Sequence, residues 1–214
     1  MTLWAIVPVK PLHQGKSRLS GMLSSDEREI LNLFLLRHTL EILSSVELVN
    51  RILVVSKDPQ VLAISREYQA VTLHAEDERL DLNLDLQKAD LMAKWMGATD
   101  IFVLPADLPL ITVWDVYQFI QTAQKPKLLV IAPDRNRDGT NGLLFSPADG
   151  SRYAFGSGSF ERHCSLASKA GYHIEIFESE TFALDLDTPE DLNLLFEKAP
   201  SFFQKFAKPI RRNV

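Results

Sequence analysis

LWAIVPVKPLHQGKSRL, residues 3–19, is the stretch from which the fold is read. A short apolar run rich in Val and Ile stops at Pro8, as a buried parallel strand does. The loop beyond it carries Lys10, Lys16 and Arg18 and no carboxylate. Three cations directly after a buried strand make a seat for polyphosphate. Gly15 is the only glycine of the loop, so neither a dinucleotide fingerprint nor a P-loop is present. Taken alone, the loop reads equally well as a solvated basic turn. The rest of the chain decides between the two.

Outward from this strand, strand-like and helix-like patterns alternate. Strands are expected at Leu3–Val9, Arg51–Ser56, Ala70–His74, Asp100–Leu104, Leu128–Ala132, Gly142–Phe145 and His173–Phe177. The first helix opens at Ser24, where Ser24 and Glu27 form a capping box, and Ile30, Leu33, Phe34, Leu40 and Leu43 supply one apolar face. Further helices are expected at Pro59–Tyr68, Asn83–Met96, Thr112–Ala123, Ser159–Ala170 and Pro189–Glu197. This order predicts an α/β fold, a single three-layer domain with a mostly parallel sheet. The domain spans residues 1–198, and residues 199–214 form a basic, aromatic C-terminal tail that reads as a frayed or packed terminus before it reads as a partner-binding arm.

Composition narrows the class. The 214 residues are 46% hydrophobic and 24% charged, ordinary values for a soluble globular domain. A net charge of -5 argues against nucleic acid or an anionic membrane as partner. Cys164 is the only cysteine, which excludes an intramolecular disulfide and a cysteine-built zinc site. The N-terminal apolar run is too short for a signal sequence and no run approaches a membrane span, so a cytoplasmic location is expected.

Carboxylates supply the second feature. In VLPADLPLIT, Asp107 follows a hydrophobic strand between Pro105 and Pro109. Ligands of open α/β sheets gather beyond the carboxyl ends of strands, where this Asp falls. Helix capping is the competing role, and Thr112 suits it better. In ALDLDTPEDL, Asp185 and Asp187 have period-two spacing and point the same way in extended chain. Such like charges cost stability unless a cation joins them, and few, hard oxygen ligands suit Mg2+ carrying nucleotide phosphates. Thr188, Pro189, Glu190 and Asp191 read as a helix start.

Two glycine-bearing pieces come last. FGSGSFERH, residues 155–163, leads Gly156, Ser157, Gly158 and Ser159 into a helix, an arrangement expected to present free backbone N–H groups to an anion. Arg162 and His163 are expected to add positive or donor character. In DGTNGLLF, Thr140 and Asn141 sit in an expected tight turn and offer a hydroxyl and an amide. Each piece alone is an ordinary loop; beside the cationic loop and the carboxylates they suggest a second anion pocket.

With these pieces in order, the chain resembles the 2-phospho-L-lactate guanylyltransferase family of deazaflavin coenzyme (F-420) biosynthesis. The resemblance rests on VPVK (7–10), KSRL (16–19), LPADLPL (104–110), APDR (132–135), GTN (139–141), FGSGSF (155–160) and LDLDTPEDL (184–192), and runs from residue 3 to about residue 196. It implies a glycosyltransferase-A-like, Rossmann-like nucleotidyltransferase that moves GMP from GTP onto the phosphate of a small phosphorylated carboxylic acid: 2-phospho-L-lactate, phosphoenolpyruvate or 3-phospho-D-glycerate. It also implies Mg2+ held by Asp107, Asp185 and Asp187, and Lys10, Lys16 and Arg18 along the triphosphate. Asn83 matches a nucleotide-binding position, while Thr140, Gly156 and Ser159, with Asn141 beside them, match the acceptor site. A downstream transferase that consumes the product is implied, and a homodimer is compatible. The family's glycine-rich stretch is replaced here by Glu76, Asp77, Glu78, Arg79, Leu80 and Asp81. Two alternatives stay open: a nucleotidyltransferase for another acceptor, such as a molybdopterin guanylyltransferase or a sugar-alcohol phosphate cytidylyltransferase, and a non-catalytic nucleotide-binding protein of this fold.

Overall fold

The computed structural model describes residues 2–75, 81–123, 127–150, 152–200 and 202. Residues 76–80 of the non-glycine segment and most of the C-terminal tail therefore lie outside the described residues.

Among the described residues seven strands form one sheet in the order β3-β2-β1-β4-β6-β5-β7. They are β1 (Leu3–Pro8), β2 (Arg51–Ser56), β3 (Val71–His74), β4 (Asp100–Val103), β5 (Leu128–Pro133), β6 (Thr140–Ser146) and β7 (His173–Ile176). Alternation along β1 explains why its sequence is apolar throughout. Leu3, Ala5 and Val7 join the core on one face of the sheet, whereas Trp4 and Ile6 join the core on the other. Helices α1 (Ser25–Ser45), α2 (Pro59–Glu67) and α4 (Val113–Gln121) cover the first face through residues such as Leu36, Val61 and Phe119. Helices α3 (Leu82–Trp95) and α5 (Ser159–Lys169) cover the second through Leu86, Ala89 and Phe160. This is the expected three-layer arrangement.

Helix starts follow the chemistry of their first residues. Ser24 and Glu27 make the capping box of α1, and Thr112 with Asp115 makes another at α4, which leaves Asp107 free of capping duty. Thr188 and Asp191 close a third box at α7 (Pro189–Lys198). One short helix, α6 (Glu180–Ala183), was not expected, because four residues carry no helical period. Phe202 packs edge-on against Phe34 of α1 with ring centroids 5.0 Å apart, so the beginning of the tail docks on the domain.

Two features of the sheet place the site. Strand β1 pairs with β2 on one side and β4 on the other, all parallel, so the chain reverses its winding at β1. A crevice opens beyond the carboxyl ends of β1 and β4 at such a switch point. Strand β6 runs antiparallel to both β4 and β5. Its first residues therefore lie at the carboxyl end of the parallel strands. This corrects the expected turn at Thr140 and Asn141: both are buried in the start of β6, joined to β5 by a loop at Asp134–Gly139.

Candidate active site

Beyond β1 the chain makes two single turns of 3-10 helix, Leu12–Gln14 and Ser17–Leu19. Between them Lys16 takes a left-handed backbone conformation with φ 57°. A non-glycine residue there costs free energy and marks a position fixed by its surroundings. What fixes it is visible. The Asn32 carboxamide of α1 donates to Leu12 O at 2.7 Å, and Leu12 N donates to Asp58 Oδ2 at 3.0 Å. The loop is thus tied to α1 and to the start of α2, and the Lys16 side chain is directed inward, with only 7% of it exposed.

The Lys16 ammonium meets carboxylates from two other places. Nζ lies 3.0 Å from Asp107 Oδ2 and 3.4 Å from Asp187 Oδ1. Asp107 arrives in the turn after β4. Asp187 arrives on the segment returning from α6, which is registered on that turn by Leu186 N donating to Asp107 O at 2.9 Å. Arg135 holds the same segment through an ion pair of 2.7 Å with the buried Asp191. Arg18 stands at the rim, 71% exposed, with Nη1 3.4 Å from Asp187 Oδ2.

Burial lowers the Lys16 pKa, but Asp107, Asp187 and Asp185 together outweigh it, and the net direction is upward. Asp185 shows the opposite strain. Burial, then the Asp107 charge, raise its pKa to about 6 against a hydrogen bond from Asn141, whose Nδ2 stands 3.2 Å from Asp185 Oδ1. Three carboxylates thus share one buried ammonium. Among the described residues no group of three or more His, Cys, Asp or Glu stands close enough to hold a metal as the side chains lie. The hard oxygen donors and the excess negative charge nevertheless fit a divalent cation such as Mg2+, which would compete with Lys16 for these oxygens.

A cavity of about 360 Å³ runs through this crevice. It is lined by Pro8, Val9 and Lys10 after β1, Val55, Ser56 and Lys57 at the end of β2, Leu82 and Asp85 at the start of α3, Lys16 and Asp107 between them in the sheet order, and Thr140, Gly156 and Ser159 toward β6. Lys57, Asp85 and Asn32 were missed in the sequence. The strand-end rule applied to β2 would have found Ser56 and Lys57; Asn32 and Asp85 sit among helical residues and carry no local signal.

Five expectations change in detail. Asn83 does not line the cavity: its carboxamide bonds Phe155 at both ends, accepting from N at 2.7 Å and donating to O at 3.3 Å. Asn141 gives its amide hydrogens to Phe182 O and Asp185 rather than to open space. The start of α5 is not a row of free amides, because Asp138 Oδ1 accepts from Gly158 N at 3.0 Å, Asp138 O from Phe160 N, and Gly156 O from Ser159 N. Arg162 turns away, bonding the backbone oxygens of Ala154 and Ser157. His163 is no cation either; burial, then the Arg162 charge, hold its pKa down to about 4. The β6 side of the cavity thus offers the hydroxyls of Thr140 and Ser159 and the backbone of Gly156, which only a left-handed φ of 116° opens this way.

Known proteins share this fold. Solved structures of the same fold include a nucleotidyl transferase from Methanothermobacter, with a TM-score of 0.66 at 13% identity over 95% of this chain and 99% of that one. The 4-diphosphocytidyl-2C-methyl-D-erythritol synthase of Anaerococcus prevotii gives 0.60 at 12% identity over 95% and 96%. A phosphoenolpyruvate guanylyltransferase of Rubrobacter xylanophilus is 40% identical over 192 residues, 90% of this chain and 92% of the relative. The 2-phospho-L-lactate guanylyltransferase of Methanocaldococcus jannaschii is 29% identical over 89% of this chain and 81% of its own length. No helix among the described residues is long and apolar enough to cross a membrane. Residues 3–212 match the family described as guanylyl transferase CofC like, and the chain belongs to that family of nucleotidyltransferases.

Proposed function

We propose that this enzyme transfers GMP from GTP to the phosphate of a small phospho-acid, with release of pyrophosphate, and that it serves deazaflavin coenzyme (F-420) biosynthesis. The observation that carries the reading is the position of Lys16, Asp107 and Asp187 between the two flanks of one cavity. The β2 flank, walled by Pro8, Val9, Val55 and Leu82, suits a nucleoside. The β6 flank, with Thr140, Gly156 and Ser159, suits the acid. Phosphoenolpyruvate is the favoured acceptor, since the relatives from Rubrobacter and Sphaerobacter, 40% and 36% identical, are named for it.

A phosphate oxygen of the acid attacks the α-phosphorus of GTP in line. The new P–O bond forms as the bond to the pyrophosphate oxygen breaks, and pyrophosphate leaves with that electron pair. The attacking oxygen is anionic at neutral pH, so it needs no Ser/His/Asp relay. The enzyme's work is to bring two anions together. Each pair of unit charges at 4 Å repels by about 4 kcal/mol at an effective dielectric of about 20. Lys16 offsets this in the buried centre, and Arg18 closes on the triphosphate from the rim with a two-pronged grip. Mg2+ held by Asp107, Asp185 and Asp187 would supply further charge neutralisation for the transferring group. Positioning of both substrates contributes the remainder.

Pyrophosphate release measured with each of the four ribonucleoside triphosphates against the three phospho-acids and a sugar-alcohol phosphate tests the reading. Release confined to GTP with a phospho-acid is expected. Release with CTP and a sugar-alcohol phosphate, or GTP binding without release under any acceptor, would replace it with one of its rivals.

A further inference from the structure

His163 lies 0% exposed behind the acceptor end of the cavity, touches none of the open space, and is used by no step above. Its two ring nitrogens have different partners. Nε2 lies 2.9 Å from Ala154 N, and a backbone N–H can only donate, so Nε2 accepts and carries no proton. A neutral imidazole must then hold its proton on Nδ1, which lies 3.0 Å from Thr140 Oγ1. The Ser159 hydroxyl donates to the same Thr140 oxygen at 3.1 Å. Both lone pairs of Thr140 Oγ1 are thereby occupied, and among the described residues no protein acceptor is recorded for its own proton. Thr140 lines the cavity, so that proton points to whatever occupies it.

We infer that His163 is a positioning residue that fixes the Thr140 hydroxyl as a hydrogen-bond donor aimed at an anionic oxygen of the acid substrate. The inference rests on the β6 flank being the acceptor site, as proposed above. The surroundings of the ring favour a permanent device over a switch. Phe155 packs against it at a centroid distance of 4.7 Å, and the Arg162 guanidinium is the charge that acts on it. An imidazolium would set a second N–H against Ala154 N–H, which agrees with the lowered pKa. Without the Nδ1–H bond, Thr140 could turn its proton onto Ser159 and present a lone pair to an anion. The loss would fall on the acid and leave the nucleotide untouched.

The test compares His163→Phe with His163→Asn, whose side-chain amide can place an N–H near the position of the ring Nδ1–H. His163→Phe should raise KM for phosphoenolpyruvate at least tenfold and leave KM for GTP within twofold, with His163→Asn recovering most of the loss. In a Thr140→Val background, His163→Phe should add less than twofold. Equal losses for both substrates, or an undiminished effect in the Thr140→Val background, would overturn the assignment. Should the variants fail to fold, ¹⁵N shifts of the histidine rings in the wild-type protein decide: protonated Nδ1 with bare Nε2 from pH 8 to pH 6 is expected, and the opposite tautomer or an imidazolium at pH 6 contradicts it. Wild-type protein that releases no pyrophosphate with any phospho-acid would refute the proposed function instead, while the nitrogen shifts would still decide the hydrogen-bond chain.

Discussion

The Lys16 ammonium and the Asp107 carboxylate, 91 residues apart in sequence, stand 3.0 Å apart at the carboxyl ends of two neighbouring strands. Neither residue is held there by its own loop alone. Asn32 and Asp58 tie down the first loop, and the Leu186 amide ties the second to the returning segment. The contact is therefore a product of the whole α/β winding, and its disruption should be read in turnover before stability.

Asp107→Ala is expected to leave the thermal unfolding transition sharp and to cut turnover by two orders of magnitude or more, because it removes both a partner of Lys16 and a proposed metal ligand. Steady-state kinetics decide the matter. Activity within about tenfold of wild type, roughly 1.4 kcal/mol, would remove Asp107 from the centre of the mechanism.

Asp185 carries a burden the folded protein tolerates. Its pKa rises from 3.8 to about 6 on folding, so the folded state holds the proton longer. Stability contributed by the protonated form is present at low pH and is lost as pH rises from about 4 to about 6. Asp185→Asn should therefore stabilise the protein at pH 8 by about 1–3 kcal/mol, with the gain fading below pH 4, while turnover collapses. Denaturant titrations at both pH values check this.

His163 acts in the opposite sense. Its folded-state pKa of about 4 lies below the ordinary 6.5, so the unfolded chain takes up the proton first as pH falls. The stability it contributes is complete above pH 6.5 and is lost between pH 6.5 and 4, to a limit of roughly 3 kcal/mol. His163→Phe should lack this acid-dependent loss. A wild-type stability profile that does not fall more steeply than the variant's in this window would refute the burial argument.

Gly15 controls the cationic loop through a neighbour. A Cβ at this position would stand 2.8 Å from Asn32 Cγ, displacing the carboxamide that donates to Leu12 O. Gly15→Ala should raise KM for GTP by about tenfold, as a displaced positioning group does, and Asn32→Ala should act in the same direction. Unchanged GTP kinetics in both would show that Asn32 does not hold the loop in place.

Much of this site was legible in the sequence because strand ends are local signals. The apolar runs at β1 and β4 could be seen to stop, and Lys16 and Asp107 lie just past those stops. Thr140 reads as a turn because its glycine neighbours outweigh the short apolar run after them; only pairing with Pro133 of β5 makes it part of a strand. The amides at the start of α5 were expected to be free since nothing in FGSGSF shows that Asp138, twenty residues before Gly158, reaches back to accept from one of them. Likewise no local pattern assigns Asn83 to the Phe155 backbone. Side-chain partners set by long-range packing stayed hidden, while residue types and their strand-end placement did not.

The most direct measurement follows the phosphorus. With Mg2+, phosphoenolpyruvate and GTP carrying label at either the α or the γ position, the account predicts that α-label passes into a new anhydride containing the acid and that γ-label appears only in pyrophosphate. Recovery of γ-label as inorganic phosphate with GDP, or α-label that leaves only as free GMP whatever the acceptor, would contradict it.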